Sequence, residues 1–219
     1  IMSSDWSSDV CSSDLPEFKR TVLEVMRQPI EQRNITISRA RFTIDYPASI
    51  MLVAAMNPCP CGYYNHPEQE CSCQAGIVPK YLTRISGPLM DRIDIHIEVV
   101  PVKVNDLVEA APGEKSEIIR ERVITARKIQ EKRFEKNNGV YCNAQMGATL
   151  LKKVCCIDEV SKKLLTNAIT KLNLSARAYD RILKVSRTIA DLEGEERILA
   201  AHLSEAIHYR SLDRENWGT

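Results

Sequence analysis

The chain has 219 residues, 44% hydrophobic and 27% charged, with aromatics at only 5%, a composition that excludes disordered, collagen-like and coiled-coil chains. Many helix formers and few aromatics favour helices packed on a modest sheet over an all-β sandwich. With 30 basic and 29 acidic residues the net charge is +1, so no molecule-wide field steers the chain onto a polyanion and any nucleic-acid contact must be local.

Residues 1–15 contain Ser-Ser-Asp three times, starting at Ser3, Ser7 and Ser12, and no Lys or Arg. No core face can be drawn on that pattern, which resembles a translated sequencing adapter. The segment is expected to be disordered and to stand outside the fold, and Trp6 and Cys11 with it. Without its three aspartates the remainder has 30 basic against 26 acidic residues, a slight tilt toward anionic partners.

From Pro16 the pattern becomes regular. Val22, Leu23, Val25 and Met26 interleave with charges up to Pro29, as in a short amphipathic helix. Ile35, Ile37, Phe42, Ile44 and Tyr46 alternate with polar residues around Ser38-Arg39-Ala40, the mark of a β-hairpin with a basic tip. Ile50 to Met56 is a continuous apolar run of strand length that stops at Asn57-Pro58, which fits a strand buried on both faces. A loop rich in Cys, Gly and Pro extends to about Gly76. A short helix to Met90 and a strand from Ile93 to Val100 are expected next, the strand ended by Pro101.

Pro101 to Lys115, with Ala111-Pro112-Gly113, reads as a linker between two lobes. Beyond it everything reads as helix: Ser116–Lys136, Asp158–Leu172, Ser175–Leu192 and about Arg197–Leu212. Ser175 caps the third of these and Gly194 stops it. Within it Ala178, Ile182, Val185, Ile189 and Leu192 form a core stripe, and Arg177, Arg181 and Lys184 form a basic ridge about 100° away. Standing alone, that ridge is a solvated helix edge.

The cysteines offer a second kind of chemistry. Cys59-x-Cys61 and Cys71-x-Cys73 flank nine residues, and four thiolates in two pairs can close a tetrahedral zinc site that pins a long loop. The spacing is tighter than the usual two to about four residues, so reduced loop cysteines are the competing reading, with His66 as a substitute ligand. Cys142, Cys155 and Cys156 fit no ligand spacing and are expected to pack between helices.

One combination is more specific. A strand running into Ala54-Ala55-Met56-Asn57-Pro58, then Pro88-Leu89-Met90-Asp91-Arg92-Ile93-Asp94, then a helical lobe with Leu174-Ser175-Ala176-Arg177, resembles the magnesium chelatase-like AAA+ ATPases, in their competence-associated branch. The resemblance covers nearly all of residues 16–217. It implies an α/β fold: the carboxyl-terminal part of an AAA+ parallel sheet with a β-hairpin insertion over residues 16–101, and an all-helical lid domain over residues 102–219.

The resemblance also implies roles. Asn57 would be the sensor that orients water at the γ-phosphate, and Arg92 the arginine finger reaching a neighbouring subunit's nucleotide, with Arg84 as runner-up. Arg177 would close over the phosphates from the lid. Arg39 and Arg41, with Arg33, would contact DNA phosphates in the pore of a ring. The implied partners are ATP and Mg2+, a homohexamer and DNA, with Zn2+ possible at the cysteines.

No Gly-x-x-x-x-Gly-Lys-[Ser/Thr] loop occurs in the 219 residues, and the Asp-Glu pair that the resemblance places before Pro16 is missing. The expectation is therefore the carboxyl-terminal part of an ATP-driven DNA motor or helicase of natural transformation, inactive by itself. A metal-chelatase ATPase subunit and a non-enzymatic zinc-stabilised interaction module are the alternatives. No run of about 18 apolar residues and no signal-peptide pattern occurs, so no membrane association is expected and the chain reads as cytoplasmic.

Overall fold

The computed structural model describes residues 10–12, 15–99, 101–102 and 113–210, and their contacts divide into two compact units between Ile93 and Asp94. Most of the expected linker, residues 103–112, and the end of the last expected helix, residues 211–212, lie outside the described residues.

The first unit is mixed α/β. Strand β1 (Val10–Ser12) pairs in parallel with β4 (Leu52–Ala54) in the register Val10↔Leu52, Cys11↔Val53, Ser12↔Ala54. The opening segment, expected to stand outside the fold, thus contributes a strand here. A ladder is made of backbone N–H and C=O groups, so a segment without a hydrophobic pattern can still pair. Leu15 continues the contact by donating its N–H to the Ala55 carbonyl at 3.1 Å and is itself buried.

The helix expected before Pro29 is broken at Met26 into α1 (Arg20–Val25) and α2 (Arg27–Gln32). Leu23 packs inward, and Pro29 sits in the first turn of α2, where its missing N–H costs no helical hydrogen bond. Arg33 adopts φ 59°, ends α2 and turns the chain into the hairpin of β2 (Asn34–Arg39) and β3 (Phe42–Pro47). Its antiparallel register runs from Asn34↔Pro47 to Arg39↔Phe42, which leaves Ala40-Arg41 as the connection.

Strand β4 departs from expectation. It is three residues long, and Met51 and Val53 are exposed rather than buried on both faces. Among the described residues its sole strand neighbour is β1, so the faces that a larger sheet would cover meet solvent. Helices α3 (Ile77–Leu82) and α4 (Gly87–Met90) follow, with Val78, Tyr81, Leu82, Leu89 and Met90 buried.

The expected strand from Ile93 is absent among the described residues. The expected alternation is not realised there: from Asp94 to Val99 polar and apolar residues alike are exposed, Val99 at 85%, and His96 alone is buried. His96 donates its N–H to the Tyr209 carbonyl at 2.8 Å, a tie to the helical unit and not a rung of a ladder.

The second unit is helical among the described residues: α5 (Ser116–Phe134), α6 (Ala148–Val154), α7 (Glu159–Leu172), α8 (Ala176–Glu193) and α9 (Ala200–His208). Ser175 caps α8 through the Ala178 N–H at 3.2 Å, Asp158 caps α7 through the Ser161 N–H at 2.7 Å, and Gly194 ends α8 at φ 76°. Leu165, Ile182, Ile189 and Leu203 meet in one core, joined by Cys155. Leu192, expected on the core stripe, is exposed, and its place is taken by the neighbouring buried Asp191. Cys155 is a packing residue as expected; Cys156 is exposed and is not.

Candidate functional site

The segment between β4 and α3 carries the first candidate residues. Asn57 is exposed, three residues past the end of β4 and two before Cys59, which is fully buried. Cys59, Cys61, Cys71 and Cys73 converge so that their four Sγ atoms lie within 4.8 Å of one another. The closest approaches are 3.2 Å between Cys59 and Cys61, 3.5 Å between Cys61 and Cys71, and 3.7 Å between Cys59 and Cys71. All four are free thiols, and the cluster packs beside Val78, Tyr81 and Leu82.

The thiols differ in acidity. The Tyr63 N–H favours the Cys61 thiolate and pushes that thiol down to about 5. Desolvation pushes Cys73 up to about 12, with the sulfurs of Cys61, Cys71 and Cys59 adding to it. At Cys71 the N–H of Cys73 favours the thiolate, but desolvation and the neighbouring sulfurs outweigh it, and the thiol is raised.

The candidate finger is engaged within its own unit. Arg92 is 6% exposed, and its Nε and Nη2 donate to Glu31 Oε2 at 2.8 and 2.5 Å, while Nη1 donates to the Pro88 carbonyl at 2.6 Å. The guanidinium lines an open groove with Glu24, Arg27, Gln28 and Glu31. Arg84 is exposed and donates from Nη1 to the Pro16 carbonyl at 3.1 Å. Sequence reasoning missed Glu31 altogether, since it lies 61 positions from Arg92 with no local signal linking the two.

On the hairpin the register puts Ile35, Ile37, Arg39, Phe42, Ile44 and Tyr46 on one face and Thr36, Ser38, Thr43 and Asp45 on the other. The polar face is cross-linked by Thr36 Oγ1 donating to Asp45 Oδ1 at 2.5 Å and by the Ser38–Thr43 hydroxyl pair at 3.0 Å. Both faces are exposed, as are Arg39 and Arg41 at the tip. The hairpin is therefore a ribbon that presents two guanidinium groups at its end.

Arg177 is exposed in the first turn of α8, in the second unit, whereas Asn57 and Arg92 belong to the first. The rest of the expected basic ridge is committed inside the helical unit. Arg181 pairs with Asp94, and Lys184 donates to the Ala144 carbonyl at 3.1 Å. Below the ridge lies a polar network that sequence reasoning did not anticipate. Arg133, Asn143 and Arg187 converge on the buried carboxylate of Asp191, with Asn143 Nδ2 at 2.7 Å and Arg187 Nε at 3.1 Å. No helix among the described residues is long and apolar enough to cross a membrane.

The chain as a whole is similar to known sequences. The family described as magnesium chelatase, subunit ChlI, matches residues 12–107, and the family of the ChlI C-terminal region matches residues 113–210. The chain is 44% identical over 202 residues to the competence protein ComM of Haemophilus influenzae. It is 39% identical over 203 residues to the uncharacterized protein YifB of Salmonella typhimurium and 38% identical over 203 residues to YifB of Escherichia coli. Each alignment covers 92% of this chain and 38% of the relative, so the chain spans well under half the length of these proteins.

Proposed function

Because the chain belongs to the magnesium chelatase ChlI family, in the group that includes ComM and YifB, we propose that it supplies sensor and finger side chains to an AAA+ ATPase that works on DNA as a hexameric ring. The observation that carries the DNA reading is the hairpin: a two-stranded ribbon exposed on both faces, with Arg39 and Arg41 at its tip. Such a tip suits phosphates read without regard to base sequence. Six copies around one channel would concentrate charge that the chain as a whole, at +1, does not have. The name of the ComM relative, a competence protein, points the same way.

In this reading ATP and Mg2+ bind mainly to parts outside these residues, and three side chains here act on the nucleotide. Asn57, an uncharged donor and acceptor, orients the attacking water or contacts the γ-phosphate. Arg177 closes on phosphate oxygens from the helical unit. Arg92 stabilises the charge that develops on the transferred group in a neighbouring subunit. Its pairing with Glu31 defines what delivery requires: the guanidinium must exchange one carboxylate for phosphate oxygens, a change of partner between two anions that suit the same planar fork.

The test is made on the full-length protein that contains this chain. Arg92→Ala is expected to lower ATP turnover by about 10³-fold or more while leaving nucleotide affinity nearly unchanged, as removal of a finger does. Arg84→Ala should leave turnover within a few-fold of the parent. Normal turnover in Arg92→Ala would refute the assignment, and loss in Arg84→Ala alone would transfer the role. A chelatase-type subunit is the second reading, favoured by the family's description. It predicts turnover that is indifferent to DNA.

A further inference from the structure

We propose that Cys59, Cys61, Cys71 and Cys73 bind one zinc ion in a closed structural site, and that the ion holds the segment bearing Asn57 in place. Zinc with four thiolates has Zn–S bonds of about 2.3 Å, which sets the tetrahedron's S–S edges near about 3.8 Å. The observed separations of 3.2, 3.5 and 3.7 Å, with all four sulfurs inside 4.8 Å, need only small side-chain adjustments to reach that geometry. None of the four is consumed in a disulfide.

The backbone explains how so tight a spacing delivers two ligands to one point. The Gly62 N–H donates to the Cys59 carbonyl at 3.0 Å, and Gly62 stands at φ 84°, where a side chain would be strained. The chain thereby folds back immediately after Cys61, and the two sulfurs, one residue apart, face the same centre. His66 is occupied elsewhere: its Nδ1 accepts the N–H groups of Glu68 and Gln69, both at 3.1 Å. The ligand set is therefore all sulfur, which excludes magnesium and calcium and leaves zinc or iron. Four protein ligands fill the tetrahedron, so no position stays open for a catalytic water.

The need for an ion follows from the surroundings. Residues 55–76 contain no helix or strand, a stretch longer than the roughly 12–15 residues that connections of this kind usually reach. Cys59 is the only buried residue among them. Apolar burial does little to order this segment, and the free energy of a structural metal can supply what is missing. Asn57, two residues from Cys59, is then placed by the ion.

The experiment uses the 219-residue chain itself and does not depend on ATP hydrolysis, so its failure is separable from failure of the motor reading. Purified without chelator, the chain should carry about one zinc, and Cys73→Ser less than about half, while Cys156→Ser keeps the full equivalent. Cobalt substituted into the unaltered chain should show the intense visible bands and near-ultraviolet charge transfer of a tetrahedral tetrathiolate, which requires no variant to fold. Chelation should speed proteolytic cleavage within residues 55–76 by at least about tenfold, a small part of what structural zinc binding allows. Zinc below about half an equivalent, iron in its place, a cobalt spectrum without thiolate bands, or cleavage indifferent to chelator each overturns the proposal.

Discussion

At Asp191 a carboxylate with 1% exposure is held by Arg133, Asn143 and Arg187, contributed by α5, by the short turn at Asn143–Gln145 and by α8 itself. Burial opposes its charge, but Arg133, Asn143 and Arg187 outweigh the penalty, and the carboxyl is held below its usual range. Its contribution to stability is thus complete at neutral pH and is lost as the pH falls below about 4, through the depressed folded value. Asp191→Ala should destabilise the helical unit at pH 7 by about 3 kcal/mol, because the buried Arg187 and the half-buried Arg133 guanidinium groups lose their counter-ion. Denaturant unfolding followed by far-ultraviolet circular dichroism checks this; a loss below about 1 kcal/mol would show the network to be ornamental. A sequence-based helical stripe finds apolar residues and cannot find this pairing, since Asp191 lies 58 positions from Arg133 and 48 from Asn143. The Arg92–Glu31 pair escaped for the same reason.

Among elements, those governed by local rules were legible. Helix α8 begins after Ser175 and ends at Gly194 as its caps dictate, and the hairpin follows from its alternation. The segment from Ile93 to Val99 has the same period-two pattern and forms no strand, because a strand needs a neighbour's ladder and none is present among the described residues. In the full-length protein, Arg39→Ala combined with Arg41→Ala should weaken DNA binding while leaving the hairpin's Thr36–Asp45 and Ser38–Thr43 links intact. Every phosphate that is no longer neutralised should reduce the slope of log affinity against log salt by about one. Titrations at two salt concentrations measure it, and an unchanged slope would remove the hairpin from the DNA surface.

For the whole molecule, the two units carry different parts of the candidate machinery, Asn57, Arg92 and the thiolate cluster in one and Arg177 in the other. With no Gly-Lys-Ser/Thr loop in its 219 residues, the chain alone should show no ATP turnover above background, while the full-length protein should turn over; turnover by the chain alone would mean a different nucleotide grip. The order of residues was enough to establish the family, the helical character of the second unit, the hairpin and the cysteine spacing, because composition, caps and periodicity act over a few residues. It was not enough to establish that Arg92 is buried against Glu31, that four sulfurs meet within 4.8 Å, that Val10–Ser12 pairs with β4, or that Asp191 anchors the helices. Those depend on which distant segments become neighbours, and it is the folded arrangement that settles where a charge finds its counter-ion, a thiol its companions and a backbone its ladder.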